Sequence, residues 1–339
     1  MSIDSRKGGE KATAVPARVS IIPDPEMEPV AITSAAKDDE DLLNRFWVAL
    51  LVAFLGMVGV LLTITGGNGG FQGVLVALLL HTVPGLAIGV VYRLRGLDLI
   101  LSWFVGSLAV LILCSLPMAL TSFWHPRVMA TLILLASTAV AVWVACKRPP
   151  TLEATWVRRT GRAMIGPIGL ATAGFLVAVL AAAAQPQSPA LYGAALAAGP
   201  LWFLGLGAIV SAVCWAFSSV GGRSWSIVLL ATVVPMSQAV MYGTPTVQVA
   251  ARHIGLVNLL IANGGLDREA GIYQAYSGLF ASSALVQQAA GWPDLMMYAA
   301  VFGAVGAGVN CLAVAQLARY FVDDERAWWA GLVFALGSS

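Results

Sequence analysis

The stretch Phe46–Thr65, FWVALLVAFLGMVGVLLTIT, decides the fold class. It carries no charge over 20 residues, and a hydrocarbon core of about 30 Å requires roughly 20 apolar residues in a helix. Lipid offers the backbone no hydrogen-bond partner, so a run of this kind is helical. The same reading extends to Phe71–Tyr92, Leu99–Leu120, Val128–Cys146, Met164–Ala184, Leu196–Ser218, Trp225–Met241 and Pro293–Ala318. Hydrophobic residues make up 59% of the chain and charged residues 11%, far from the usual globular balance. The expected fold is an all-α polytopic transmembrane bundle of about eight full spans. A ninth apolar run begins at Ala327 and reaches only Gly337, too short to cross. It is expected to be the start of a truncated module, or a short re-entrant end packed against other helices.

Orientation follows from the positive-inside rule. With the N-terminus in the cytoplasm, only Arg127, Arg252 and Arg268 of the 19 basic residues fall outside. The net charge of +2 carries little information, because the charges are sorted by side. The expected location is the plasma (inner) membrane, with the lipid bilayer as partner and no nucleic acid. Three regions result. Residues 1–43, rich in Pro and acidic residues, read as a disordered cytoplasmic tail. Residues 44–223 read as N-terminal transmembrane helices. Residues 224–339 form a last module with a long outer loop, 242–292. The inner segment from Lys147 to Arg162 is basic, which suits either a topology signal or a surface helix touching anionic headgroups.

The loop is where a site is expected. It contains Arg252, His253, Asp267, Arg268 and Glu269 in an otherwise apolar chain. Val249, His253, Leu256 and Leu260 recur at helical spacing, and Asn263–Gly264–Gly265 reads as a helix stop. A second helical piece, Ile272–Gln288, mixes aromatics with Ser and Gln. Both pieces are expected to lie at the membrane interface. Asp267 or Glu269 can serve as a carboxylate base. Arg252, His253 and Arg268 suit a phosphate. Tyr273, Tyr276 and Trp292 suit stacking on a sugar or anchoring at headgroup level. Ordinary loop polarity explains the same residue types equally well. Cys114, Cys146, Cys214 and Cys311 show no paired spacing, so neither a disulfide nor a metal site is indicated.

The order RHIGLVNLLIANGGLD, GIYQAYSGLF and WWAGLVFAL resembles a group of actinobacterial polytopic membrane proteins related to GT-C-type glycosyltransferases. The matching positions are Arg252, His253, Gly255, Asp267, Ile272, Tyr273, Gln274, Gly278 and Phe280, within about residues 225–336. The resemblance implies a polyprenyl-phosphate sugar as donor and transfer on the outer face, with the catalytic acid in the first outer loop. It fixes neither a cofactor nor a need for divalent metal. Two positions that are acidic in such sequences are Asn258 and Gly271 here, which leaves Asp267 and Glu269 as the loop's candidate bases. The alternatives are a non-catalytic membrane protein of cell-envelope assembly and a transporter. A transporter asks for polar groups and broken helices at mid-bilayer. In that respect the sequence offers His81, read as a neutral imidazole bonded to a carbonyl freed by Pro84.

The topology has a direct check. A membrane-impermeant thiol reagent applied to intact cells should label a cysteine placed at Asp267 and spare one placed at Ser224. The reverse pattern would invert the orientation.

Overall fold

The computed structural model describes residues 28–66, 70–147, 165–185, 197–218, 221–245, 248–267 and 277–338. Eight helices among them are long and apolar enough to cross a membrane. The described chain is otherwise turns and shorter helices, so the all-α polytopic bundle stands. The helices are α1 (Glu28–Ile64), α2 (Gly70–Leu80), α3 (Val83–Val91), α4 (Gly96–Leu101), α5 (Ser107–Thr121) and α6 (Pro126–Lys147). They continue with α7 (Ile165–Ala183), α8 (Pro200–Ser218), α9 (Arg223–Tyr242), α10 (Gln248–Asn263), α11 (Gly278–Ala290), α12 (Met296–Ala318) and α13 (Asp324–Ser338). A π-helical segment, Ser102–Gly106, joins α4 to α5.

Two packing groups share the chain. Val52, Val76, Leu80, Leu111 and Leu134 form one apolar core, built from α1, α2, α3, α5 and α6. Ile209, Ile227, Val233, Cys311 and Trp328 form the other, built from α7, α8, α9, α12 and α13. Small residues set the close approaches. Gly174 and Gly205 face each other between α7 and α8, where a Cβ on either would meet the other's carbonyl oxygen. Gly308 of α12 lies against Val228 and Thr232 of α9. Gly303 and Gly306 have open space around them, so Gly308 alone of this trio marks a close helix contact.

The two loop helices both form, but the second is not superficial. Ser282, Leu285, Val286, Gln287 and Ala289 of α11 are buried, and Leu285, Val286 and Ala289 belong to the core of the first spans. Alanine and serine dominate α11, which lets it fit between α2, α5 and α6. Gly278 sits against Ile112, nine residues before the end of α5, or about 13 Å along that helix. At its other end, α11 brings Ala290 and Trp292 against Gly73. A thirteen-residue helix is about 20 Å long and cannot span. Its deep end is at Gly278 and its shallow end at Ala290, on the loop side of the bundle.

One span is broken. The backbone departs from helix at His81–Thr82, between α2 and α3. Pro84 has no N–H for the Leu80 carbonyl four residues earlier. The amide of Gly85 bonds the Ser107 hydroxyl at 2.8 Å, and the Ser102 hydroxyl bonds the Gly85 carbonyl at 2.9 Å. The break in one span therefore rests against the π segment of the next. A Cβ on Gly85 would collide with the Ser102 and Trp103 carbonyls, both backbone.

At the opposite end of the bundle, α13 begins with Asp324 and Glu325 in its first turn, where acids favour a helix N-terminus. Asp324 pairs with Arg319 at 2.7 Å. The helix runs 15 residues, longer than the apolar run read from sequence by three residues of this polar turn and by Ser338. Trp328, Leu332 and Ala335 place one face in the second core.

Gly85→Ala should lower the thermal stability of the detergent-solubilised protein by about 1–3 kcal/mol, the range for overpacking against backbone. Gly303→Ala should change it by less than about 0.5 kcal/mol, as at open surface positions. Melting curves of the two variants test the assignment of the close contact.

Candidate functional site

The loop begins with α10, whose buried face is Ile254, Val257 and Leu260. That face is shifted from the sequence stripe: Val249 is exposed, and His253 is half-buried at its edge. The shift arises because α10 packs on α11 and the end of α5, which meet Ile254 and Val257 rather than Val249 and Leu256. The helix stop forms as expected. Gly264 adopts φ +63°, and the Gly265 amide bonds the Leu260 carbonyl at 3.2 Å. This is the left-handed termination that glycine permits. The Leu266 amide then bonds the Ala119 carbonyl at 3.0 Å, fixing the loop to α5.

The sequence-derived residues fall into three sets. Arg252 lies exposed on α10, and the His253 imidazole packs on Phe280 of α11 with ring centroids 5.2 Å apart. Asp267 is half-buried, immediately after the segment pinned to α5. Each of these three engages a neighbour. Arg268, Glu269, Tyr273 and Tyr276 lie outside the described residues. Trp292 follows the other end of α11, where it packs against the cluster of α10 and α11 and also reaches the α5–α6 connection.

There the structure forms a cavity of about 590 Å³ lined by Trp124, His125, Arg127, Gln288, Gly291 and Trp292. The Trp124 indole N–H donates to Gln288 Oε1 at 2.8 Å. Arg127 reaches the Gln288 carbonyl at 3.5 Å through Nε. These two bonds tie the α5–α6 connection to the end of α11. The cavity thus combines a guanidinium, an imidazole, an amide and two indoles. Phosphate suits the cations, and the indoles suit an amphipathic ring. Trp124, His125 and Gln288 are not among the site residues that the sequence singles out. The signal was present in the short Trp124-His125-Pro126-Arg127 run, which is more polar and aromatic than a turn between spans requires.

A second polar cluster lies at the broken span. The His81 Nδ1 lies 2.9 Å from the Ala77 carbonyl, and its Nε2 lies 3.1 Å from the Tyr298 hydroxyl. The imidazole is bonded to a backbone carbonyl as expected, but the carbonyl is Ala77's. It is not the Leu80 carbonyl that Pro84 leaves free, because the side chain reaches back along its own helix. Phe104 and Phe302 flank the ring at 6.3 and 6.0 Å. Thr82 accepts the Trp103 indole N–H at 3.0 Å. The cluster ties the broken span to α12: Tyr298 lies in the first turn of α12, a helix whose later residues enter the second core, while its own side chain packs against the first. Tyr298 went unnoticed in the sequence because a phenol near the end of an apolar run reads as an interfacial anchor.

Among the described residues, no group of three or more His, Cys, Asp or Glu side chains converges as a metal site. No family model, no curated protein and no solved structure matches the chain.

Tyr298→Phe should cost about 1 kcal/mol, the usual net worth of one hydrogen bond. His81→Leu should cost at least as much, since it leaves the Tyr298 hydroxyl without that partner. A double-mutant cycle on thermal melting should give a coupling of about 0.5–1.5 kcal/mol for a direct contact, and no coupling would remove the bond from the contacts joining the broken span to α12.

Proposed function

We propose that this chain is a membrane-embedded glycosyltransferase-type protein that takes a sugar from a polyprenyl-phosphate donor at the outer membrane face. The observation that supports the reading is the cavity in which Arg127 and His125 stand beside Trp124 and Trp292. A lipid-linked sugar presents a phosphate and a sugar ring side by side, and these groups answer both. Charge developing on the phosphate leaving group is offset by the Arg127 guanidinium. Asp267, placed by the Leu266–Ala119 bond, is the base for the acceptor hydroxyl, with Glu269 as its alternate in the same stretch. Arg252, His253 and Arg268 are the loop's further candidates for the donor phosphate. On this reading the first four spans are part of the site, because Trp124 and Arg127 belong to them.

A second reading is favoured by the broken span. Discontinuous helices around a buried polar group are a feature of transporters, and His81, Thr82 and the π segment fit that description. In this reading the substrate moves between the two packing groups and no bond is made.

The two readings separate in one experiment. The full chain is reconstituted in vesicles with a radiolabelled polyprenyl-phosphate sugar and an envelope glycan acceptor. Transfer should fall by roughly 10²–10⁴-fold on loss of the base, in either Asp267→Asn or Glu269→Gln. Arg127→Gln should lower kcat at least as much as it raises KM, because the guanidinium answers charge that develops in the transition state. Transfer that survives both acid substitutions removes these carboxylates from the chemistry. Labelled lipid that changes leaflet without sugar transfer favours the transporter.

A further inference from the structure

An almost wholly apolar groove of about 490 Å³ runs between α3, α5 and α6, away from the cavity at the loop end. Pro84, Ile88, Val110, Cys114, Leu132 and Ala136 line it, and it ends at Val91 and Tyr92. Its length along α3, from Pro84 to Tyr92, is about 12 Å, and along α6, from Met129 to Val140, about 16 Å. The two stretches are offset along the bundle, since Thr138 and Val83 meet at the same level against Gly56, so the groove runs from the Tyr92 end past the middle of a core about 30 Å thick and has room for a single acyl chain entering at Tyr92.

The end at Tyr92 is positively charged. Arg93 follows directly, Arg95 lies two residues further, and both are exposed. Lys147 ends the neighbouring α6, where its ammonium lies 3.9 Å from the centre of the Trp143 ring. Asp98, the acid nearest in sequence, accepts a bond from Gln316 at 2.8 Å. Arg93 adopts φ +58° at the end of α3. The Leu94 amide closes back on the Gly89 carbonyl at 2.9 Å, which makes Arg93 the left-handed residue of a Schellman-type stop. Glycine is the residue that such a position favours, and arginine holds it at a cost of strain. A cation kept at a strained position beside an apolar slot indicates a use for the charge.

We infer that this groove is the binding site of an anionic diacyl phospholipid from the leaflet at the Arg93 end, the cytoplasmic leaflet in the expected topology. One acyl chain fills the slot, and the phosphate pairs with Arg93 and its neighbouring cations. Anionic lipids of that leaflet attract such clusters. The tail meets Pro84, Ala87 and Ile88, so it braces α3 just after the break at His81–Thr82. The lipid supplies, from outside the chain, packing that an unbroken helix would not need.

The test uses the full chain in detergent, titrated with phosphatidylglycerol, with phosphatidylcholine, or with glycerol 3-phosphate as a headgroup without tails. Native mass spectrometry counts bound lipid, and a melting assay reads its effect. The expected result is retention of phosphatidylglycerol over phosphatidylcholine, with a rise in Tm that glycerol 3-phosphate does not reproduce. Ala136→Phe, at an exposed lining position, should abolish the rise while leaving the lipid-free Tm close to wild type. Arg93→Gln should cut the preference for the anionic lipid roughly fivefold and keep tail binding. Arg93→Gly separates strain from charge: the lipid-free Tm should rise while the preference for phosphatidylglycerol falls. Equal binding of both lipids by the wild-type chain, undiminished binding by Ala136→Phe, or a Tm gain from glycerol 3-phosphate alone would each overturn the assignment.

Discussion

A backbone within a bilayer must satisfy its own hydrogen bonds, and a helix too short to cross must find protein around it. That constraint acts most strongly on α11, which at about 20 Å cannot span, yet has Ser282 and Gln287 among its buried residues. It meets the constraint by entering between α2, α5 and α6. The rest of the loop end follows. Gly73 has to be glycine-sized where Ala290 and Trp292 press on it, and Trp124 finds its acceptor in Gln288. The cavity at that end exists because α11 brings Gln288 and Trp292 to the α5–α6 connection. A loop helix lying flat on the surface would produce none of this.

The same constraint explains the broken span. Opening a helix leaves carbonyls and amides to be satisfied, and here serine and threonine hydroxyls do it. Thr82 Oγ1 donates to the Leu78 carbonyl at 2.6 Å, Ser102 to Gly85, and Ser107 accepts from Gly85. Glycine at 85 lets the two spans approach closely enough for these bonds. His81 adds a link to Tyr298, so the break faces the start of α12 as well as the π segment. These hydroxyls support the irregularity on the side that faces protein.

The spans were legible in the sequence because their signal is length and composition, which no tertiary context overrides. Val128–Cys146 lies within α6, and Phe46–Thr65 lies within α1 except for its last residue. The helix stop at Gly264 was legible for the same kind of reason: glycine has a local backbone preference. The burial of α11 was not legible, since Ser282, Ser283 and Gln287 make its composition interfacial, and only the shape of the slot between α2, α5 and α6 tells otherwise. The candidate site divided along the same line. Trp292 was found from its type and place, whereas Trp124 and Gln288 gain meaning only by meeting across 164 residues of chain. Periodicity in α10 gave the element correctly and its buried face one residue out, because amphipathic spacing does not say which neighbour the face will meet.

The position of α11 also fixes an order of events in biosynthesis. Translation delivers α1 to α6 first, and these spans then hold an open slot between α2, α5 and α6 while more than a hundred further residues are made. Val76, Leu80, Leu111 and Ile133, which later share a core with Leu285 and Val286, must wait among lipid tails or against one another. The first half of the chain is therefore completed by the second, from the opposite side to the ribosome in the expected topology. A ribosome stalled before residue 278 would leave a membrane-inserted intermediate with an unfilled core, a ready substrate for membrane quality control.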